Sequence, residues 1–315
     1  MYRLGVDLGG TNISVGVVND KWEIIGRGKR KTGAGRPAGE VMADVAAASM
    51  DAVKDAGLKL AQIESLGLAT PGSVEKDTGV IPFSNNLNFH HVPARELLSQ
   101  WFSCSIYIDN DANCAALGEA LAGSGKGVGS FIAITLGTGV GSGIVIDGKI
   151  VNGTNDAAGE CGHMVIAIDG KPCNCGRSGC WEAYASATAL IAQTKEAMLT
   201  DRASKCWELV NGDIEAVSGR TSFDAMRAGD ALGKALVDKY MRYLAVGLGN
   251  LINALQPDKI CIGGGIGHEG EALLAPLREL IKAERYTRYA PKQTELVQAS
   301  LGNDAGIVGA AALTK

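Results

Sequence analysis

The sequence has no surplus of positive charge: 30 Lys and Arg against 34 Asp and Glu give a net charge of −4, and no long basic run occurs. Nucleic acid is therefore not expected as a main partner, because phosphate-backbone binding needs a clustered cationic footprint. Long apolar runs are missing too. "FIAITL" and "GIVI" fall far short of the roughly 20 residues that cross a bilayer, so no membrane partner is expected. Met1 leads straight into "YRLGVDLG", without the charged and apolar stretches of a secretory leader. A cytoplasmic protein is the expectation. No Pro/Ser-rich linker divides the chain, so its parts are expected to pack closely and hinge. The phosphate-loop pattern GxxxxGK[ST] is absent as well.

What is present is glycine, 43 residues of 315, while aromatics supply only 5%. Without a collagen period, that excess points to tight turns and close backbone approaches. A hydrophobic share of 46% and a charged share of 20% are globular values and exclude disorder. The length is enough for two domains with proper cores.

The first 120 residues alternate between strand-like and helix-like segments. "RLGVDLG", "ISVGVV" and "EIIGRGKRK" read as strands, the first two joined by a Gly-Gly-Thr turn. "GEVMADVAAASMDAVKDAG" has helical spacing and stops at Gly57. "IESLGLATPG" and "SIYIDN" read as strands, and "DANCAALGEALAG" as a helix. The opening pattern then returns as "FIAITLGTGVGSGIVIDG". Helices are expected over roughly 183–200 and 223–255, then a strand and glycine loop at "KICIGGGIG" and a small-residue helix at "GNDAGIVGAAAL". Two copies of strand, glycine turn and strand, each opening an α/β half, imply a duplicated architecture with a cleft, each half an open mixed sheet flanked by helices.

A turn such as "DLGGTN" exposes consecutive backbone N–H groups and lets a phosphate come close. Thr11 and Asn12 add side-chain donors, and Asp7 could hold Mg²⁺ beside phosphate oxygens. Either turn alone could be a plain hairpin, but two at corresponding positions, with "IGGGIG" later, favour nucleotide phosphates. Gly265, Gly267 and Gly270 spell GxGxxG, yet too little chain follows for a dinucleotide half, and no acidic residue ends a following strand. In "YIDNDANCAALGEAL" a strand hands over to a helix at Asn110 and Asp111. These could be simple N-caps. They also lie at the strand's carboxyl edge, where an Asp can take a proton from an attacking hydroxyl. Glu160 and His163 are three apart, and Glu182 follows Cys180 by two, so one loop carries donors and acceptors suited to sugar hydroxyls.

Cys104, Cys114, Cys161, Cys206 and Cys261 sit singly in apolar settings and read as core residues. Cys173, Cys175 and Cys180 do not. With His163 they make a Cys₃His donor set of the kind that closes a tetrahedral zinc site. A disulfide fails on the reducing compartment and on the odd count of three. A closed site offers water no position, so the expected zinc is structural, fixing Glu160 and Glu182 rather than doing chemistry.

These residues resemble the ROK family (repressors, open reading frames, sugar kinases). "GECGHM…CNCGRSGCWEAYAS" is similar to its GExGH and CxCGxxGCxE signatures with nothing missing, and "LGTGVGSGIVIDG", "NDANCAALGEA" and "ATPGSV" are also family-like. The resemblance implies an α/β, actin/hexokinase-like (ribonuclease H-like) duplicated two-domain fold with an interdomain cleft. Its expected division is 1–118 with 300–315, and 119–299 carrying the zinc loop. It implies an ATP-dependent hexose kinase acting at the 6-hydroxyl, glucokinase-like, with Mg²⁺ brought in with ATP, a homodimer, and a place in glycolysis. Asp111 falls on the catalytic base. Asn110, Glu160, His163 and Glu182 fall on sugar-contacting positions, with Gly72, Asn85 and Asn86 near the substrate loops. Asp7, Gly9, Gly10, Thr11 and Asn12 match the first phosphate loop, Gly137, Thr138 and Gly139 the second, and Gly263, Gly264 and Gly265 the adenosine side.

The family also includes sugar-responsive repressors. These carry a helix-turn-helix before the first strand, whereas Met1 here is six residues from Asp7, so an enzyme is expected. Kinases for N-acetylmannosamine or N-acetylglucosamine share the same motif residues, and polyphosphate is an alternative donor.

Overall fold

A computed structural model describes residues 1–314. In chain order its strands and helices begin with β1 (Tyr2–Leu8), β2 (Asn12–Asn19), β3 (Ile24–Lys31), α1 (Ala38–Asp55), β4 (Ile63–Thr70), β5 (Ser73–Glu75), β6 (Val80–Ser84) and β7 (Phe89–Val92). There follow α2 (Ala94–Leu98), β8 (Ser105–Asn110), α3 (Asp111–Ala122), β9 (Ser130–Leu136), β10 (Val140–Ile146), β11 (Lys149–Ile150), α4 (Glu182–Ala185), α5 (Ala187–Thr200) and α6 (Cys206–Leu209). The rest are α7 (Thr221–Arg227), α8 (Ala231–Leu255), β12 (Lys259–Gly263), α9 (Gly264–Gly267), α10 (Glu271–Glu284), β13 (Glu295–Gln298) and α11 (Asp304–Ala311).

Two five-stranded sheets have the orders β3-β2-β1-β4-β8 and β11-β10-β9-β12-β13. Taken in chain order, both read third, second, first, fourth, fifth. The duplication legible in the sequence is therefore a duplication of sheet topology. The chain forms two compact units, Met1–Ala133 with Gly143–Gly159 and Ala299–Lys315, and Ile134–Ser142 with Glu160–Gln298.

In the first unit β1 runs antiparallel to β2 and parallel to β4, and β4 runs parallel to β8. Gly16, Gly5 and Gly67 lie side by side across β2, β1 and β4. α11 rests directly on this row: a Cβ at Gly5 would stand 1.9 Å from the Ile307 carbonyl oxygen, and one at Gly67 1.7 Å from that of Ala310. Part of the glycine excess is thus explained by helix-on-sheet contact at backbone distance. α1 meets β3 the same way, with a Gly28 Cβ placed 1.9 Å from the Ala48 oxygen. Leu4, Val6, Leu66, Leu68 and Met42 fill the core below, all with no exposed surface.

The second unit is built on α8, against which α7 and α10 pack. The expected helix over 223–255 is instead two helices. Gly229 has φ +79°, a left-handed stop, and the Asp230 carboxylate caps α8 by accepting the Gly233 N–H at 2.9 Å. The small sheet β5-β6-β7 was not anticipated. Among the described residues no helix is long and apolar enough to cross a membrane.

Candidate active site and metal centre

In the first unit, β8 ends at Asn110 and α3 starts at Asp111. Asn110 is the N-cap: its side-chain oxygen accepts the Ala112 N–H at 2.8 Å and the Asn113 N–H at 3.3 Å. Its amide donates to the Gly72 carbonyl at 3.1 Å. The cap fixes the backbone and leaves Asp111 on the helix's first turn. Asp111 is raised above the ordinary carboxylate range by burial, partly offset by N–H groups that include that of Ala112. Asp7, at the end of β1, is pushed up to about 6 by burial and then by the charge of Asp111. Two carboxylates, 104 residues apart in sequence (111 − 7), thus face the same space.

Beneath them lies Asp109, whose side chain is 1% exposed and ion-paired with Lys76. One Asp109 oxygen also accepts the Asn110 N–H at 2.7 Å and the Asn113 amide at 3.0 Å. Lys76 is in turn held by Asn152 at 2.6 Å. The sequence reading missed Lys76 and Asp109. A charged residue in an otherwise apolar strand was the available signal for Asp109, and Lys76 carried none.

The first glycine turn lies at the carboxyl end of β1. The Gly9 N–H donates to the Asn12 carbonyl at 3.0 Å, and the Thr32 hydroxyl to the Gly9 carbonyl at 2.6 Å. The Asn12 side-chain oxygen is buried without a partner among the described residues. A Cβ at Gly10 would lie 3.4 Å from the Asn86 carbonyl, and one at Gly72 2.2 Å from that of Phe83. Asp7, Gly9, Gly10, Thr11, Asn12, Gly72, Asn86, Asn110 and Asp111 therefore cluster at one end of this sheet. Asn85 adjoins them in the β6–β7 turn.

In the second unit, the turn of residues 137–139 is closed by the Gly137 N–H on the Gly139 carbonyl at 3.0 Å. Gly264, with φ +78°, presses on the end of β9: a Cβ there would lie 2.5 Å from the Leu136 oxygen. Gly264 and Gly265 thus sit against Leu136, the residue that leads into the turn of Gly137, Thr138 and Gly139, where β9 lies beside β12. Glu160 precedes a turn of 3₁₀ helix, Cys161–His163, in which the His163 N–H donates to the Glu160 carbonyl at 3.0 Å.

The metal-like residues come together. One donor atom from each of His163, Cys173, Cys175 and Cys180 lies within 4.8 Å of the other three. The Cys173 Sγ is 3.6 Å from His163 Nδ1, and the Cys175 and Cys180 sulfurs are 3.6 Å apart. Metal–sulfur bonds of about 2.3 Å at tetrahedral angles put ligand sulfurs about 3.8 Å apart, so the set fits a four-coordinate ion. Gly179, at φ +80° with its Cα against the Ala167 carbonyl, provides the wrap before Cys180. Trp181, fully buried, then anchors the segment on α8. Its indole N–H donates to the Tyr243 carbonyl at 2.8 Å, and its ring fills the space a Cβ at Gly247 would need.

A model of the family described as "ROK family" matches residues 3–315. The chain belongs to the ROK family. It is 38% identical to a glucokinase of Halalkalibacterium halodurans, covering 100% of this chain and 95% of that protein. It is 34% identical to a glucokinase of Thermotoga maritima, covering 99% and 96%. Among solved structures, a ROK family glucokinase from Streptomyces griseus in complex with glucose and AMPPNP superposes with a TM-score of 0.83. Its identity is 32%, covering 100% of this chain and 99% of that one. The fold of this ROK chain is accordingly the mixed α/β, actin/hexokinase-like fold of those sugar kinases.

Proposed function

We propose that this chain is an ATP-dependent glucokinase that transfers the γ-phosphoryl group to the 6-hydroxyl of glucose. The observation that carries the reading is Asp111 on the first turn of α3, poised above its ordinary pKa beside Asp7. The full-length likeness to glucokinases selects the chemistry. The Asp111 carboxylate takes the 6-hydroxyl proton as the O6–Pγ bond forms and the bond from Pγ to the ADP oxygen breaks. Asp7 would hold the Mg²⁺ that arrives with ATP, and the N–H groups of the turns at 9–12 and 137–139 would receive phosphate oxygens. Gly263, Gly264 and Gly265 take the adenosine side. Asn110, Glu160, His163 and Glu182 bind sugar hydroxyls, with Gly72, Asn85 and Asn86 bordering the sugar.

His163, Cys173, Cys175 and Cys180 would hold a zinc ion. With all four positions filled by protein, it supplies rigidity to the segment that carries Glu160 and Glu182. Cytoplasmic location and a homodimer complete the proposal.

An ADP-coupled assay with Mg·ATP across glucose, mannose, fructose, allose, N-acetylmannosamine and N-acetylglucosamine tests it. Glucose should give the highest kcat/KM. A preference for an N-acetyl sugar would replace the substrate, and no turnover with any sugar, with ATP or polyphosphate, would overturn the reading. Asp111→Asn should lower kcat by about 10²- to 10⁴-fold while glucose binding, followed by tryptophan fluorescence, stays within a few-fold of wild type.

A further inference from the structure

A glycine turn that binds phosphate through its N–H groups must keep those groups aimed, and glycine gives the backbone little help in doing so. Among the described residues, the internal bond of the turn at 137–139 is the one from the Gly137 N–H to the Gly139 carbonyl. Further restraint comes from the segment that follows Glu160. The Ala187 N–H donates to the Gly137 carbonyl at 2.9 Å, and the Cys161 N–H to the Ser142 hydroxyl at 3.0 Å. Gly162 lies flush against the Val140 carbonyl, where a Cβ would stand at 2.3 Å. Between these points is Glu182. Its Oε2 accepts the Val140 N–H at 2.9 Å and occupies the space beside Gly139, where a Cβ would come within 2.2 Å. Its Oε1 lies 3.9 Å from the Cys173 sulfur.

From this geometry we infer that Glu182 is a positioning residue for the nucleotide. One carboxylate ties the phosphate turn to the metal segment, and the integrity of that segment sets the affinity for ATP. The inference rests on the proposal that residues 137–139 receive ATP phosphates. The Gly137 and Val140 N–H groups are engaged, whereas those of Thr138 and Gly139 have no partner among the described residues. Removing Glu182 leaves the Val140 N–H unpaired and opens a gap beside Gly139, so the two free N–H groups lose their common aim. The other end of the tether is rigid, because Glu182 opens α4 directly after the buried Trp181 and two residues after Cys180.

The test is equilibrium binding of Mg·AMPPNP to the full chain with no sugar present, read by calorimetry, with zinc content measured on every sample. Glu182→Ala should weaken nucleotide binding by about tenfold or more, as expected when a hydrogen bond to a charged group is lost. Glu182→Gln keeps a carbonyl oxygen for the Val140 N–H and should stay within about threefold. A sugar contact alone predicts the opposite pattern: glucose binding falls in both variants and nucleotide binding in neither, and that result overturns the inference. Wild type that fails to bind Mg·AMPPNP would instead overturn the nucleotide assignment itself. Should Glu182→Ala fold poorly, hydrogen exchange decides. Stripping metal from wild type with a chelator should speed exchange at the Val140 amide, and unchanged protection would sink the idea.

Discussion

Replacing Asp7 with Asn should stabilise the chain at neutral pH while removing phosphoryl transfer. Asp7 titrates at about 6 rather than 3.8, first because it is buried and then because Asp111 carries like charge beside it. The folded state therefore holds this proton more tightly than the unfolded chain does. Between the two values the native protein binds more protons, so stability falls as pH rises through that window. Below about 4 both states are protonated and the cost is absent; above about 6 it is complete. At about 1.4 kcal/mol per pKa unit, roughly two units correspond to about 3 kcal/mol at pH 7.5 and about 1 kcal/mol at pH 4.5. Asparagine has a similar shape and no charge to bury, so it escapes the penalty at every pH. Urea unfolding of both proteins at the two pH values, in buffer free of divalent cations, measures the difference. The expected advantage of Asp7→Asn is about 3 kcal/mol at pH 7.5, shrinking threefold at pH 4.5. An equal difference at both pH values, or a less stable variant at pH 7.5, would refute the reasoning. The site would then be an ordinary polar cluster rather than one whose stability is given up for catalysis.

The same two groups set the acid limb of the rate. Because burial raises both Asp7 and Asp111, and the Asp111 charge raises Asp7 further to about 6, kcat/KM should fall as pH drops through about 6, and a flat profile down to pH 5 contradicts this. Cys175→Ser should lose the metal. Elemental analysis should find about one zinc per wild-type chain and almost none in the variant, with a lowered Tm, and unchanged zinc content would refute the donor set. Glu119, 2% exposed, accepts five hydrogen bonds from Ser124, Ser300 and Leu301 and so fastens the chain entering α11 to the end of α3. Glu119→Ala should cost about 3 kcal/mol by chemical denaturation, because buried donors lose their acceptor, and make the region after Ala299 a protease target; wild-type stability would show that the bonds are incidental.

The legible part of this protein was the part encoded over short distances. Strand, glycine turn and strand in "LGVDLGGTNISVGVV" repeat in "FIAITLGTGVGSGIVI" because alternation and turn chemistry are local properties. The four candidate metal donors fall within 18 residues, 163–180, so spacing and residue type were enough to group them. Gly229 followed by Asp230 was a stop and start signal that the wider apolar periodicity of 223–255 masked. β5, β6 and β7 are short and partly polar, and they exist as strands only through pairing with one another.

Sequence alone determined the alternating α/β architecture, its duplication, the donor set of the candidate metal centre and the motifs shared with sugar kinases. Tertiary structure decided what those residues experience. It set Asp7 against Asp111, buried Asp109 on Lys76, and laid α11 on a row of glycines from three strands. It also carried the carboxylate of Glu182 to the backbone of Val140, 42 residues away. The reason is physical: residue type and spacing fix which groups are available, but desolvation, repulsion and hydrogen-bond partnership depend on distance in space, which only the packed chain defines.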